Sequence, residues 1–383
     1  MAAPVVHDRQ RAHSWDRRAA PQAPACSGSI ARHRGQMMTM TRTWTRWLVS
    51  ALAVLALVLA GCGAEETEPE TDDPGEAAEE DPAEDEEPDS AAEDGEPVSL
   101  RVGDIAGTPS AFLQFAVDQG FFEEQGLDVQ VEVSPGGAAN IPGVVAGEFE
   151  IAGSNAVSVL LARSQGLPLK MISAGTFASE DPEDDFSLLL VTPDSPIQEP
   201  SDLDGTAVAV NTLANIAELT IRASLENVGA GHESIEFVEL GFPDMLPALQ
   251  DGRVDAVHVI EPFMSIGLEQ GMRPIIAPYA ETQPGMAIGS YFSTDEYIEE
   301  NPDVIDRFVA AVTAGGEYIE ENPDEFRAAL PDLADLEPEV AEMVNNPSWG
   351  GPVDSASVEL IGELMERYDL FDETPPIDEV VYP

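Results

Sequence analysis

Short apolar runs alternate with segments of helical periodicity from Val98 onward. Apolar runs bounded by glycine, proline or polar clusters predict buried strands, and apolar positions at i, i+4 and i+7 predict helices. The predicted strands are 100–105, 128–133, 149–153, 169–173, 187–191, 207–211, 235–240, 256–260 and 274–276. The predicted helices are 111–119, 138–146, 157–164, 216–228, 243–250 and 263–269. This alternation is typical of βα units arranged around mostly parallel sheets, so the predicted fold class is α/β.

Glycine and proline mark where helices end and begin. A glycine in the left-handed conformation commonly ends a helix. The glycines that follow the predicted helices in this way are Gly120, Gly147, Gly166, Gly229, Gly252 and Gly271. The octapeptide EYIEENPD occurs at 296–303 and again at 317–324. In each copy an asparagine, Asn301 or Asn322, stands before a proline, so we interpret the repeat as two helix starts and not as a binding motif.

The N-terminal region predicts export and tethering. Arg42 and Arg46 precede the apolar run 47–61, which is too short to span a bilayer and is typical of a secretory signal. The run ends in Leu-Ala-Gly-Cys, which resembles the bacterial lipobox, so Cys62 is expected to carry a diacylglyceryl group and to become the first residue of the exported chain. The two acyl chains of that group meet the requirement for stable anchoring. An ordinary signal peptide with an incidental cysteine is the alternative.

An acidic spacer follows the predicted lipid site. Residues 63–97 contain no aromatic or branched aliphatic side chain, so they bury too little apolar surface to fold. We therefore assign 1–61 to the leader and signal peptide and 62–97 to a disordered acidic linker. The folded part is expected to begin at Val98.

The folded part is strongly acidic. Residues 98–383 carry 53 acidic and 9 basic side chains, a net charge of −44. Nucleic acid is excluded as a partner because so few basic groups cannot neutralise phosphates. Self-repulsion of this size destabilises a compact state in dilute salt, so we hypothesise a saline habitat. An acidic surface in an ordinary medium is the alternative.

The residue inventory disfavours catalysis. Both cysteines, Cys26 and Cys62, precede the predicted folded part, which leaves it no disulfide, cysteine metal site or thiol nucleophile. His232 and His258 are the only histidines after the leader, and Lys170 is the only lysine. No cofactor, no metal site and no catalytic residue is predicted.

Four segments carry a family resemblance. They are LRVGDIAGTPSAFLQFAVDQGFFEEQGLDVQVEV, GGAANIPGVVAGEFEIAGSNAVSVLLARSQGLPLKMISAG, PSDLDGTAVAVNTLANIAELTIRASLENVG and ALQDGRVDAVHVIEPF. Together they resemble the solute-binding components of ABC importers for nitrate, sulfonates, taurine and thiamine pyrimidine precursors. The resemblance implies a two-lobed, type II periplasmic-binding-protein-like fold with two hinge crossovers. Lobe one is expected at 98–190 and 286–383, and lobe two at 191–285.

The resemblance implies a function in transport. We expect an extracytoplasmic, lipid-anchored monomer that captures a small molecule between its lobes by hinge closure and delivers it to a permease and its ATPase. The expected ligand is a nitrate-, sulfonate- or taurine-type anion or a pyrimidine precursor. One alternative is a ligand-sensing lipoprotein that reports to a receptor. Another is a pyrimidine-precursor synthase, which is disfavoured because Lys170 lies within a predicted strand and no cysteine follows Cys62.

The candidate ligand contacts lie in four loops at strand ends. Ligands of open parallel sheets bind beyond the carboxyl ends of the strands, where helix N-termini offer free N–H groups. The candidates in these loops are Thr108, Ser110, Gly136, Gly137, Ser154, Asn155, Asn211, Thr212 and Asn215. The serine, threonine and asparagine residues also suit plain helix caps, which is the alternative for each.

Two further candidates come from outside these loops. Glu261 fits the Glu-Pro-Phe segment of the family and is expected to place one carboxylate in the cleft, where it would accept from an amine, an amide or an aminopyrimidine. Phe292 is the candidate for stacking on a planar ligand, with Phe177 and Phe242 as others, and core packing is the alternative for all three. His258 is expected to be structural, and Trp349 has no predicted role. No arginine follows the loops closely, so an anion would depend on backbone N–H groups and hydroxyls.

Overall fold

The computed structural model describes residues 96–371 and 373–383. The predicted leader, the lipid site at Cys62 and all but the last two residues of the predicted linker lie outside this range. No helix within the described residues is long and apolar enough to cross a membrane.

Strands and helices alternate along the described chain. The strands are β1 Val98–Ile105, β2 Leu127–Ser134, β3 Ile151–Asn155, β4 Leu169–Ala174, β5 Thr176–Phe177, β6 Ser187–Val191, β7 Ala207–Val210, β8 Glu236–Glu239, β9 Ala256–Ile260, β10 Arg273–Ile276, β11 Gly289–Thr294 and β12 Ser348–Trp349. The helices are α1 Thr108–Asp118, α2 Phe121–Glu124, α3 Ile141–Val145, α4 Ala156–Ser164, α5 Ile216–Asn227, α6 Phe242–Gln250, α7 Phe263–Glu269, α8 Pro278–Thr282, α9 Asp295–Glu300, α10 Pro302–Glu321, α11 Pro323–Leu333, α12 Pro338–Ala341, α13 Ser355–Arg367 and α14 Ile377–Val380. Three short 3₁₀ helices cover Gly137–Asn140, Pro182–Asp184 and Pro200–Leu203.

The two main sheets have the same topology. The first sheet runs β2-β1-β3-β11-β4, and the second runs β8-β7-β9-β6-β10. In each, the first three strands are parallel and the fourth is antiparallel to both of its neighbours. The fourth strand is in each case the one by which the chain arrives from the other sheet. The predicted two-lobed α/β fold, with mostly parallel sheets and two crossovers, is confirmed.

The crossovers fix which residues belong to which sheet. β6 pairs along its length with β9 of the second sheet, so the predicted lobe boundary at 190 falls inside a strand. β11 pairs with β3 and β4 of the first sheet, which places the return crossing before Gly289. Since strand pairing is what holds a lobe together, we propose that lobe two begins before Ser187 and ends before Gly289.

The glycines and prolines predicted to end and begin helices have the expected conformations. The six helix-terminating glycines all have φ between 68° and 87°. Helices α10 and α11 begin at Pro302 and Pro323, directly after the asparagines of the repeat. The asparagine side chains do not accept from the new helix, however. The Nδ2 groups of Asn301 and Asn322 donate to the carbonyl oxygens of Tyr297 and Tyr318. Each side chain therefore caps the C-terminus of the preceding helix instead.

Each sheet is buried under its own helices. The strands β1 and β3 pack with α1, α10 and α11 in one apolar cluster. The strands β6, β7 and β9 pack with α5 in another, centred on Leu189, Val208 and Ile221. A third cluster joins residues of both sheets, including Phe292 from the first and Val257 from the second. The carboxyl ends of the parallel strands from the two sheets are thereby brought together.

The C-terminal part returns to the crossovers. β12 pairs antiparallel with β5, so that Trp349 lies opposite Thr176. The indole ring of Trp349 stacks on Phe112 with ring centroids 4.5 Å apart. Upstream, the backbone N–H of Asn345 donates to Glu261 Oε1 (3.0 Å), and Asn345 Nδ2 donates to the carbonyl oxygen of Asp185 (3.1 Å). The segment 345–349 is therefore attached to both sheets.

Candidate ligand-binding site

A cavity of about 50 Å³ lies where the strand ends of the two sheets meet. A buried polar space needs roughly 10–15 Å³ to hold one water, so this cavity suits a few waters or a small ligand. Its lining residues from the first sheet and its loops are Asp104, Ile105, Pro109, Gly153, Ser154, Asn155, Gly175, Thr176, Ile288, Gly289, Ser290, Tyr291 and Trp349. Those from the second sheet and its loops are Phe186, Asn211, Ile216, Phe242, Ile260 and Tyr279.

Two buried hydroxyls line the cavity without a partner. Ser154 at the end of β3 and Ser290 in β11 are opposite one another in the antiparallel register. Both side chains are buried, and neither Oγ makes a hydrogen bond within the described residues. Buried hydroxyls are normally satisfied, so an orphaned pair beside a cavity indicates a partner that the protein itself does not supply.

Asp104 places a carboxylate in the cavity wall. It lies in β1 and is 1% exposed. Its Oδ2 accepts from the hydroxyl of Tyr291 (3.1 Å), and its Oδ1 accepts from the backbone N–H of Ile105 (2.8 Å). Burial is the main cause that raises the pKa of Asp104 to about 7. A side chain on Gly153 would collide with this carboxylate, because a Cβ there would lie 2.2 Å from Oδ1.

Aromatic rings from both sheets complete the wall. Tyr291 and Trp349 come from the first sheet and its C-terminal extension, and Phe186, Phe242 and Tyr279 come from the second. The rings of Phe186 and Tyr279 lie 5.3 Å apart, and Phe242 stacks on Phe263 outside the cavity. Burial raises the pKa of both tyrosines well above the usual value, so both remain neutral phenols. The indole Nε1 of Trp349 has no partner within the described residues.

Asparagine side chains cap two of the helices that begin at the cavity, α4 and α5. Asn155 Oδ1 accepts from the backbone N–H of Ser158 (3.0 Å), and Asn215 Oδ1 accepts from that of Ile216 (2.7 Å). Asn215 Nδ2 donates to the hydroxyl of Ser158 (2.8 Å), which links α5 of the second sheet to α4 of the first. Since the asparagines occupy N–H groups that were expected to bind an anion, the cap interpretation accounts for their geometry.

Direct contacts join the two halves around the cavity. The backbone N–H and the hydroxyl of Thr108 donate to the carbonyl oxygen of Glu261 over 3.2 and 3.3 Å. A Cβ on Gly136 would lie 3.3 Å from Asn211 Nδ2, so the absence of a side chain there lets the two loops approach. The structure is therefore in an arrangement where the halves touch.

Three predicted site residues line the cavity: Ser154, Asn155 and Asn211. Six others lie around it without lining it. Thr108 contacts Glu261, Ser110 donates to the carbonyl of Gly107, Gly136 and Thr212 face one another, Gly137 packs on Ser154, and Asn215 caps α5.

Glu261 is not where the sequence placed it. Its side chain is fully buried and does not line the cavity. Its Oε1 accepts from the hydroxyl of Ser265 (2.8 Å) and the N–H of Asn345, and its Oε2 accepts from the N–H of Ser265 (3.1 Å). Desolvation raises the pKa of Glu261 to about 7. The carboxylate predicted for the cleft therefore lies outside the cavity in this structure, where internal donors occupy three of its acceptor positions.

The aromatic predictions need correction in the same way. Phe292 is fully buried in the apolar core and does not line the cavity, whereas its neighbour Tyr291 does, since successive strand residues face opposite sides. Of the other two candidates, Phe242 lines the cavity and Phe177 does not. His258 is buried 5.1 Å from the ring of Tyr279 and away from the cavity, and desolvation lowers its pKa to about 3. It is structural, as expected.

Several lining residues were missed by sequence reasoning. Asp104 lies within the predicted strand 100–105, and a charged residue inside a buried strand is a signal that could have identified it. Tyr291 and Ser290 lie in β11, which is not among the predicted strands. Trp349 comes from a distant segment and carries no local signal.

Within residues 96–371 and 373–383, no basic side chain lines the cavity. Among the described residues, seven arginines form ion pairs with acids elsewhere, and these are Arg101, Arg163, Arg222, Arg253, Arg307, Arg327 and Arg367. Arg273 donates to carbonyl oxygens that include Ser195 and Ile197, and Lys170 donates to that of Asp378. The cavity therefore offers a buried carboxylate, neutral hydroxyls, the side-chain amides of Asn155 and Asn211, and aromatic rings.

Comparison with known proteins gives a family and a fold. The family model described as NMT1/THI5 like matches residues 108–326. The formylaminopyrimidine-binding protein of Halalkalibacterium halodurans is 24% identical over 286 residues, which cover 70% of this chain and 84% of that protein. A putative aliphatic sulfonates-binding protein of Escherichia coli is 27% identical over 137 residues, covering 36% of this chain and 41% of that protein.

Solved structures share the architecture. The periplasmic aliphatic sulphonate binding protein SsuA of Escherichia coli superposes with a TM-score of 0.61 at 19% identity, over 75% of this chain and 98% of that one. The alkanesulfonate-binding protein SsuA of Xanthomonas axonopodis, bound to MOPS, gives 0.62 at 18% identity, over 75% and 97%. At this level of identity the likeness concerns the fold alone.

Proposed function

This chain belongs to the NMT1/THI5-like family, and from that premise we propose that it is the substrate-binding protein of an ABC importer. It captures a small molecule outside the cytoplasm, closes its two lobes around it and passes it to a permease driven by an ATPase. The observation that carries the proposal is the cavity whose wall is built from both sheets, with unpartnered hydroxyls at its edge.

Closure supplies the mechanism. A ligand that contacts both sheets favours the closed arrangement by its difference in affinity for the closed and open forms. In the present arrangement Thr108 and Asn215 donate hydrogen bonds between the halves, and the missing side chain of Gly136 leaves room for Asn211. The closed form is then the one that a permease distinguishes from the empty protein. This cycle makes and breaks no covalent bond.

We propose lipid anchoring through Cys62 as the means of attachment. The lipobox-like residues before Cys62 and the acidic spacer after it support this assignment. Expression of the full chain in a bacterial host should give membrane-bound protein that incorporates labelled fatty acid. The Cys62→Ser variant should lose the label, and Cys26→Ser is the matched control that should keep it. Equal labelling of the two variants would refute the assignment.

The cavity favours one of the two ligand classes named by the relatives. A sulfonate needs donors or positive charge around its oxygens. Here the lining, among the described residues, includes the buried carboxylate of Asp104 and no arginine or lysine, and asparagines already accept from one N–H group at the start of α4 and one at the start of α5. A ligand with N–H donors, such as a pyrimidine precursor, matches these acceptors better than a nitrate-, sulfonate- or taurine-type anion.

Uptake measurements and the chemistry of the cavity separate import from the two alternatives, a ligand-sensing lipoprotein and a pyrimidine-precursor synthase. A ligand-sensing lipoprotein would bind and close in the same way, so deletion of the permease that serves this protein separates import from sensing by measuring uptake. A pyrimidine-precursor synthase would require groups that react, and the cavity is lined by no lysine, cysteine or histidine.

A ligand screen tests the proposal. Thermal shifts of the purified full chain would be measured in molar salt with nitrate, taurine, alkanesulfonates, bicarbonate, aromatic acids, aminopyrimidines and organic amines. Hits would be confirmed by calorimetry and by small-angle scattering. We expect at least one small molecule to raise the melting temperature and to reduce the radius of gyration. Failure of every ligand to bind would overturn the proposal.

A further inference from the structure

Asp104 is a buried carboxylate with unused acceptor capacity. An ionised carboxyl group accepts about four hydrogen bonds, and Asp104 receives one from Tyr291 and one from the N–H of Ile105. Burying a charge is costly unless an opposite charge pairs with it. No basic side chain lines the cavity to provide that charge. A ligand is therefore the available source of a positive partner.

The aromatic rings around the cavity favour the same kind of ligand. The face of an aromatic ring carries negative electrostatic potential and attracts cations, and quaternary ammonium ligands are recognised in this way. Five aromatic side chains line the cavity, and they come from both sheets, so a ligand between the lobes is approached by rings from opposite sides. A sulfonate in the same position would lie beside the Asp104 carboxylate, which repels it.

We propose that this site selects a small organic cation, and that Asp104 is the residue that determines this specificity. The inference rests on the proposed binding function and goes beyond the pyrimidine-precursor class named there, because it requires a positive charge on the ligand and not only N–H donors. The cationic group is held against the Asp104 carboxylate among the aromatic rings, and the hydroxyls of Ser154 and Ser290 and the indole N–H of Trp349 are left to bind a polar group on the same ligand.

The overall charge acts in the same direction. The net charge of −44 on residues 98–383 attracts cations and repels anions during approach at low ionic strength. Molar salt reduces the Debye length to about 3 Å and removes this long-range effect, but it screens a buried pair much less. Selectivity for a cation that persists in molar salt therefore reports on Asp104 and not on the surface.

Choline and its neutral isostere 3,3-dimethylbutan-1-ol provide the test. The two molecules share shape and hydroxyl and differ in the charge at one atom. Calorimetry on the full chain in molar sodium chloride is expected to give choline at least a tenfold higher affinity than the alcohol. Methanesulfonate and 4-aminopyrimidine complete the set as anionic and uncharged planar probes.

Asp104→Asn removes the charge while keeping the shape of the side chain. We expect this variant to bind choline at least tenfold more weakly and to bind the neutral alcohol as the unmodified protein does. The matched control is Asp118→Asn, which makes the same change at an exposed position of α1. Its affinity for choline should not change. A melting curve establishes that each variant is folded.

The pH dependence gives a second readout. Tyr291 is the titratable group in contact with Asp104, Gly153 of β3 beside it has no side chain, and Tyr279 is the other titratable residue of the lining. Both tyrosines stay neutral, and the pKa of Asp104 is about 7. Choline keeps its charge at every pH, so its affinity should fall as the pH drops from 8 to 6 and Asp104 gains a proton. Asp104→Asn should remove that fall, although Glu261 and Asp185 still titrate in this range.

The outcomes separate this inference from the proposed function. Equal affinity for choline and the alcohol, tighter binding of 4-aminopyrimidine or methanesulfonate than of choline, or unchanged choline binding by Asp104→Asn would each overturn the cation assignment while leaving a binding protein. No binding of any probe or any ligand of the wider screen would overturn both.

Discussion

Thr108 donates two hydrogen bonds to one atom, the backbone carbonyl oxygen of Glu261. The donors are its backbone N–H at 3.2 Å and its hydroxyl at 3.3 Å. Thr108 is the first residue of α1 beside the first sheet, and Glu261 follows β9 of the second, so the pair joins the halves next to the cavity. Because a backbone carbonyl is the acceptor, substitution of the Glu261 side chain leaves this junction intact.

Gly107→Ala is expected to obstruct that junction. A Cβ at Gly107 would lie 2.8 Å from the carbonyl oxygen of Glu261, which is too close for the closed form. The backbone φ of 116° adds a strain of about 1–2 kcal/mol for alanine, whatever the lobes do. We expect a lower melting temperature together with about tenfold weaker binding of the best ligand of the screen, measured by calorimetry.

Gly120→Ala is the matched control for this prediction. Gly120 stands at the other end of α1 with a φ of 87°, and a Cβ there would meet nothing within 4 Å. It should lower the melting temperature without changing ligand affinity. If the two variants lose affinity equally, obstruction of closure is not the cause.

Asn155 and Thr212 should differ although both follow strands at the site. Asn155 lines the cavity and caps α4, so Asn155→Ala should cost about 1 kcal/mol of stability and weaken ligand binding about tenfold. Thr212 faces Gly136 outside the cavity, so Thr212→Ala should leave affinity within about twofold. Calorimetry and denaturant unfolding measure the two effects separately. Equal loss of affinity by both variants would contradict this placement of the cavity.

The buried carboxyl of Glu261 makes stability depend on pH. Its folded pKa is about 7 against an ordinary 4.5, so the folded state holds a proton that the unfolded chain releases between these values. Stability is therefore greatest below pH 4.5 as far as this group is concerned, and it falls as the pH rises to about 7. The full effect is on the order of 3 kcal/mol.

Glu261→Gln tests that dependence. Glutamine does not titrate, so the variant should lose less stability between pH 5 and pH 8 than the unmodified protein, as measured by urea unfolding. Its stability at any one pH is less informative, because its amide nitrogen cannot accept from Ser265. Glu123→Gln changes an exposed acid in α2 and should keep the original slope. An unchanged slope in Glu261→Gln would mean that this carboxyl is not the source.

Local signals predict nine of the described strands, but they miss β11 and identify only part of the site. Ser154 and Asn155 are predicted correctly as lining residues because the end of a strand and the start of the next helix are recognisable from neighbouring residues. The partners of Asp104 depend instead on long-range pairing, since Tyr291 is 187 residues away and belongs to a strand whose sequence, GSYFST, reads as a crossover. The side of the sheet that each residue faces follows from that register, which is why Phe292 was chosen in place of Tyr291.

Glu261 is a residue that the sequence assigned to the cavity although the structure places it outside. Its position after β9 was predicted well, but its burial was not, because the donors that satisfy it include the N–H of Asn345, which is 84 residues distant. A carboxylate at a strand end is indistinguishable in sequence from a ligand contact until its partners are known. The same holds for Trp349, whose place in the wall depends on the pairing of β12 with β5.

Salt should stabilise this protein. With 53 acidic and 9 basic side chains in residues 98–383, repulsion between surface charges opposes the folded state. We expect the melting temperature to rise steadily between 0.1 M and molar sodium chloride as the Debye length shortens from about 10 Å to about 3 Å. Sodium chloride is preferred to sulfate, because sulfate strengthens apolar burial by a separate route.

A charge-reduced variant identifies repulsion as the cause. Glu317, Glu320 and Glu321 are exposed near the C-terminal end of α10, where negative charge also opposes the helix dipole. Changing all three to glutamine should raise the melting temperature in dilute salt and reduce the further gain from added salt. If the unmodified protein melts at the same temperature at both salt concentrations, surface repulsion does not limit its stability and the saline-habitat hypothesis fails. If salt stabilises both proteins equally, these three charges contribute nothing to the effect.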